Sequence, residues 1–482
     1  MTNQFKLRPR QEGRHTPNLR PVWLVAPLAL LIVGALAYGL YQGADALLTS
    51  ENTSKKPVSV QDVIKTTITV LTLIGAVLAA LYAYRKQLLD EGASHRADAT
   101  QLAERYAKAA EQLGHDQAAV RLAGVYAMAR LADDWPEQRQ TCVNVLCAYL
   151  RMPYEPDANA AGFIKGEREV RLTVIRTIRD HLQDPTTHTT WCELDLDLTG
   201  TVFDGGDFGG SRFTGGTVNF SRSIFSGPVD FGGSRFTDGT VTFSRSIFSG
   251  PVDFGGSVFS DGTVDFGGSV FTDGTVDFGG SVFTDGRVSF GGSVFTGGTV
   301  DFINSRFSGG AVDFLGSRFS GGTVIFLGSR FSGGAVDFRG SVFSDGTVSF
   351  GGSRFSGGTV NFINSRFSGG AVDFRGSVFS DGTVSFRDST YSRGTVNFSD
   401  ATFSGGTVEF SGSVFSGSTV NFSDATFSGS TVNFRHSTYS GGTVNFRGLT
   451  FSGGAVDFDL ARIHAAVTID WGPFPVLPVN QP

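Results

Sequence analysis

From Leu198 to Phe458 apolar positions recur on a fixed beat. Leu198, Phe203, Phe208 and Phe213 lie five apart, after which the spacing alternates five and seven, as in Phe266, Phe271, Phe278, Phe283, Phe290 and Phe295. The unit is then twelve residues, T-V-D-F-G-G-S-V-F-T-D-G at Thr263 to Gly274. Within Val264-Asp265-Phe266 and Ser269-Val270-Phe271 the alternation has the two-residue period of a strand buried on one face. It predicts Val264, Phe266, Ser269 and Phe271 inside, with Asp265 and Val270 outside. The glycine-rich stretches between must turn corners. The spacing of seven shrinks to six at Phe225 to Phe231 and at Phe248 to Phe254, a deletion that a surface corner tolerates.

Two other patterns precede the repeat. Val22 to Tyr41 and Thr66 to Tyr84 are uncharged, largely apolar runs of 20 and 19 residues, about the length that crosses a hydrocarbon core of roughly 30 Å. They predict transmembrane helices over 22–41 and 66–84. Lys6, Arg8, Arg10, Arg14 and Arg20 precede the first, while the 42–65 loop mixes Lys55, Lys56 and Lys65 with Asp45, Glu51 and Asp62. The positive-inside bias keeps the basic N-terminus, 1–21, cytoplasmic, and two crossings return the rest of the chain there. A cleaved signal peptide ending near Ala44-Asp45-Ala46 is disfavoured, since the run is long and a second follows.

Residues 85–190 read as a small helical domain. Leu122, Val125, Tyr126 and Ala129 share one helical face, Val143, Leu146, Cys147 and Leu150 a second, and Val170, Val174, Ile178 and Leu182 a third. Pro136 suits a first turn and Gly114 a helix end. Arg171, Arg176 and Arg179, interleaved with Glu167, Glu169 and Asp180, read as a solvated charged face.

Composition sharpens the repeat. Of 45 phenylalanines, 42 lie between Phe203 and Phe458, and Tyr391 and Tyr439 replace phenylalanine without loss of register. The pentads LDLTG, TVFDG, GDFGG and SRFTG resemble the bacterial pentapeptide-repeat family, whose pattern is A-(D/N)-L-x-x, with Asp197-Leu198 and Asp207-Phe208 the closest matches. The resemblance implies a right-handed quadrilateral β-helix over 191–460, its central apolar residue and a small residue two before it pointing inward. Phenylalanine for leucine, and two residues added after every second pentad, depart from the family. One coil could hold one twelve-residue unit or two. Two units supply the four aromatics that a four-sided coil requires, and they keep Asp253, Asp265 and Asp277 from stacking on successive rungs about 4.8 Å apart. The helical domain with Trp191 is expected to cover the first coil, and 461–482, with Val467, Ile469 and Trp471, the last.

Charge and chemistry add little. Net charge is −6, too mild to imply a nucleic-acid partner. Between Leu198 and Leu460 there are 22 acids and 16 bases. A purely acidic stretch, Asp253, Asp261, Asp265, Asp273, Asp277 and Asp285, is a candidate interaction stripe, with a solvated face as the plainer reading. Cys142, Cys147 and Cys192 match no disulfide, zinc or redox spacing and read as small buried residues. The seven histidines are scattered; no metal or cofactor is expected, and no catalytic residue. His436 stands at a corner glycine and His464 beyond the last phenylalanine, each without a companion. The chain therefore reads as a scaffold anchored in the bacterial inner membrane, with the lipid bilayer and a protein as partners. A DNA-mimicking gyrase modulator, implied by the resemblance, is the alternative; an enzyme on a β-helix is remote.

Overall fold

The computed structural model describes residues 60–464 and 467–473, with scattered helical positions between 31 and 42. Most of the 22–41 span, the 1–21 segment, the 42–59 part of the loop and the proline-rich 474–482 tail lie outside the described residues. The chain divides into two units, Met1–Glu104 and Arg105–Pro482.

In the first unit, helix α1 begins at Val60 and runs without interruption to Leu113. The expected boundaries at 65 and 84 are thus internal to one helix, because nothing from Val60 to Leu113 breaks it: it lacks proline, and beyond Arg85 alanine, glutamate, lysine and leucine prevail. Within it, Ile68–Gln87 has a mean hydropathy of 1.7 and is long and apolar enough to cross a membrane. Ile68, Leu73, Leu78 and Tyr82 are all exposed, unlike the apolar face of a core helix.

In the second unit three helices follow: α2 (Ala118–Asp134), α3 (Arg139–Arg151) and α4 (Glu167–His181). Pro136 opens the 3₁₀ turn ahead of α3, and Gly114 donates to the Ala110 carbonyl as α1 ends. Val143, Leu146, Cys147, Leu150, Val170, Val174, Ile178 and Leu182 are buried. Tyr126 is 58% exposed, so the α2 stripe is narrower than its spacing suggests. Arg171 and Glu167 are not solvated. Arg171 is buried, donates to the carbonyls of Leu150 and Val202, and lies over the Tyr154 ring. Glu167 accepts from Tyr149 at 2.8 Å and pairs with Arg121 at 3.0 Å. Charge spacing along α4 could not reveal this, because the partners come from α2 and α3.

From Leu196 onward the chain winds as a parallel β-solenoid of the right-handed type, about eleven turns long. Each turn has four short strands. Face I starts at Leu196–Asp197, face II at Val202–Phe203, face III at Gly206–Asp207 and face IV at Arg212–Thr214. Faces I and IV are sheets of 12 and 11 strands. Faces II and III merge into one of 22, where strands such as Val414–Asn421 run through the corner.

Coil length follows from the register. Val202 pairs with Ile224, Ile224 with Ile247, and Val270 with Val294, so partners are 22, then 23, then 24 residues apart. The growth occurs at the corner between faces II and III, where Phe203 to Phe208 spans five residues, Phe225 to Phe231 six and Phe271 to Phe278 seven.

Four aromatic columns fill the interior. Phe266 stacks on Phe290 at 4.8 Å, Phe271 on Phe295 at 4.6 Å, Phe278 on Phe302 at 4.8 Å and Phe283 on Phe307 at 4.6 Å. Columns I and III also meet edge to face, as Phe266 and Phe278 do at 88°, an arrangement that suits the ring quadrupole. Valines accompany columns I and III and serines columns II and IV, all buried. Buried serines are expensive unless bonded. Here Ser293 Oγ donates to Phe266 O at 2.9 Å and Ser305 Oγ to Phe278 O at 2.8 Å, tying each coil to the one before.

The helices close the start of the solenoid. Arg151 pairs with Asp197, Arg168 with Asp204 and Arg179 with Asp207. Trp191 is buried and stacks on His181 at 4.1 Å. Gly206 stands where later coils carry valine, because a Cβ there would meet the Ile175 side chain at 3.2 Å. At the far end Val467–Asp470 adds a rung on Gly442–Asn445, and Trp471 sets its edge on Phe458.

Candidate functional site

With the interior filled by Leu198, Phe203, Phe208, Phe213, Phe266, Phe271, Phe278, Phe283 and their successors, all at most 2% exposed, the chemistry available to a partner lies on the outer faces and corners. Among the described residues no group of three or more histidines, cysteines, aspartates and glutamates is placed to hold a metal ion. His436 occupies a left-handed turn position, φ 57°, and His464 is exposed.

The residue before each phenylalanine of columns I and III is aspartate, asparagine, serine or threonine in most coils, for a local reason. Its side-chain oxygen accepts the N–H two residues on: Asp253 from Gly255 at 2.6 Å, Asp277 from Gly279 at 2.6 Å, Asn421 from Ser423 at 3.0 Å. These are Asx turns. They lead into the corner, where the phenylalanine carbonyl accepts the serine N–H three residues on, as in Ser281 to Phe278 at 3.0 Å. The residue before that serine has positive φ, for example 68° at Gly280, as the third position of a type II turn demands. The V-D-F motif is thus a turn device first and a charge second.

The six candidate acids do not form one stripe. Asp253 and Asp277 are paired neighbours on face III, and Asp265 lies on face I. Asp261 and Asp285 sit at the corner between faces IV and I, with φ of 55° and 52°, and Asp273 at the corner between faces II and III. The longer coil separates Asp253 from Asp265 but stacks it on Asp277. On face III the ladder runs Asp207, Asp230, Asp253, Asp277, Asp301. Burial first, and the Asp277 charge as a lesser contribution, push the Asp301 carboxyl above its ordinary value against the bond from Ile303.

Face IV carries the opposite sign. Arg306, Arg330 and Arg354 occupy successive rungs between Val282 and Val378. They line a shallow groove of about 610 Å3 with Ser308, Ser332 and Ser356. S-R-F was visible as a motif, but the three arginines become neighbours only once coil length is known.

Cys142, Cys147 and Cys192 are buried and free. Burial pushes the Cys142 thiol up to about 11 and the Cys147 thiol up to about 12, which leaves them poor nucleophiles.

Fold and faces define a four-sided parallel β-solenoid with polar, mixed-charge walls. A family model described as pentapeptide repeats, in nine copies, matches residues 198–247, 243–294 and 393–438, so the solenoid is built of pentapeptide repeats over those stretches. One solved structure with a related repeat is trypsin-treated QnrB1, a plasmid-mediated fluoroquinolone resistance protein. It is 17% identical, with 44% of this chain and 89% of that chain covered and a TM-score of 0.19. No curated protein matches the chain.

Proposed function

We propose that this chain is a scaffold held at the bacterial inner membrane, presenting the solenoid's outer faces to a protein partner on the cytoplasmic side. One observation carries the reading: the aromatic columns leave no interior cleft in the coils, so the repeat offers contact surface rather than a chamber for chemistry. The exposed apolar stretch Ile68–Gln87 supports the anchor. Partners recovered from detergent-solubilised membranes with the full chain should be lost when it is truncated after Asp197; identical partners would sink the reading. Topology is read from an introduced cysteine at exposed Ser404, since the native thiols are buried. Labelling of Ser404→Cys from outside intact cells would overturn the cytoplasmic placement.

A second reading, a DNA-mimicking modulator of gyrase, is favoured by the aspartate ladder of face III. Supercoiling left unchanged by the purified chain would remove it.

A further inference from the structure

Outward arginines elsewhere on the solenoid reach carboxylates of the same chain: Arg287 and Asp313 at 2.5 Å, Arg339 and Asp337 at 2.6 Å, Arg435 and Asp459 at 2.9 Å. Arg306, Arg330 and Arg354 form no ion pair among the described residues, although they are in register. Like charges directly across a ladder repel. On face III, Asp253, Asp277 and Asp301 are stacked and equally free of ion pairs.

We propose that face IV docks a second copy of this chain, its three arginines pairing with the aspartate ladder on face III of the neighbour.

The argument for this occupant is commensurability. Arginines on adjacent parallel strands repeat at about 4.8 Å, whereas alternate side chains of an extended peptide laid along the groove repeat at about 6.7 Å. Charges on one DNA strand advance about 3.4 Å along the axis. A partner whose acids stay in step over three rungs is itself a parallel β-ladder, and this chain carries one. Asp301 and Arg306 share a coil, with the other acids in earlier coils and the other arginines in later ones. Parallel copies therefore pair all three charges when shifted by two coils, about 10 Å: Arg306 with Asp253, Arg330 with Asp277 and Arg354 with Asp301. The contact is heterologous. Each copy keeps one ladder of each sign free, so association extends into staggered rows rather than closing as a pair.

The variants are ones the repeat already accepts. Valine stands at the arginine position in Val258, Val282 and Val378, and asparagine at the aspartate position in Asn397, Asn421 and Asn445. The full chain in mild detergent should associate with rising concentration at low salt and dissociate at high salt, read by mass photometry. A triple Arg306→Val, Arg330→Val, Arg354→Val chain should be monomeric, as should a triple Asp253→Asn, Asp277→Asn, Asp301→Asn chain. Mixed together they should form one-to-one pairs, each lending its intact ladder. A full chain monomeric at low salt, or association unchanged in either variant, overturns the proposal. So does binding to anionic vesicles or nucleic acid that the arginine triple abolishes without any self-association. The inference goes beyond the scaffold reading and fails separately from it, since other partners can co-purify with a chain that never pairs with itself.

Discussion

Tyr391 shows how narrowly the columns are specified. It keeps the stack, 4.7 Å from Phe367 and 4.8 Å from Phe415, but its hydroxyl is buried without a hydrogen-bond partner. An unsatisfied buried donor costs on the order of 1 kcal/mol or more. Tyr391→Phe should therefore stabilise the solenoid by about 1 kcal/mol in a denaturant titration followed by circular dichroism. Asp301 gives a residue-scale test of the stacked acids. Its folded carboxyl is held above its ordinary value, so the folded state binds more protons than the unfolded state in the window between the two. Stability should accordingly rise as pH falls through that window and be lost above it. In Asp301→Asn, which keeps the oxygen acceptor facing Ile303, the melting temperature should lose that contribution to its pH slope. An unchanged slope would show that the ladder is not self-repelling at this rung.

The coil is the unit at the next scale. Each phenylalanine touches the ring before it, the ring after it and often an edge across the core, as Phe290 does with Phe266, Phe314 and Phe302. Phe290→Ala should cost about 3 to 5 kcal/mol. Because coils are stabilised chiefly by their neighbours, the loss should open coils on both sides rather than one; hydrogen exchange should show faster amides around Val264 and Val312, with distant coils unchanged. The strands and their inward sets were legible from Val264-Asp265-Phe266 and Ser269-Val270-Phe271, since a two-residue period admits one inward assignment. The helices were legible by stripe for α3 and α4. The roles of Arg171 and Glu167 were not, because a charged residue looks alike on a solvated and on a packed face until its partner helix is in place.

For the whole second unit, the helical cap and first coil form one interface, and its thiols report on it. Cys147 is buried near Asp197, and Cys192 directs its sulfur toward the Leu182 carbonyl. With burial holding the thiols protonated, Cys142, Cys147 and Cys192 should resist alkylation in the native chain and react at the rate at which the cap opens, measured by timed maleimide labelling and mass spectrometry; labelling at the rate of a free thiol would mean that the cap is undocked. The sequence by itself determined the columns, the corners and the cap's apolar stripes, because each depends on residues within one turn of helix or one strand. Which outer residues become neighbours was decided by tertiary structure alone, because rung partners depend on coil length summed over four corners. Only the closed coil sets Asp253 on Asp277 and brings Arg306, Arg330 and Arg354 side by side on one face.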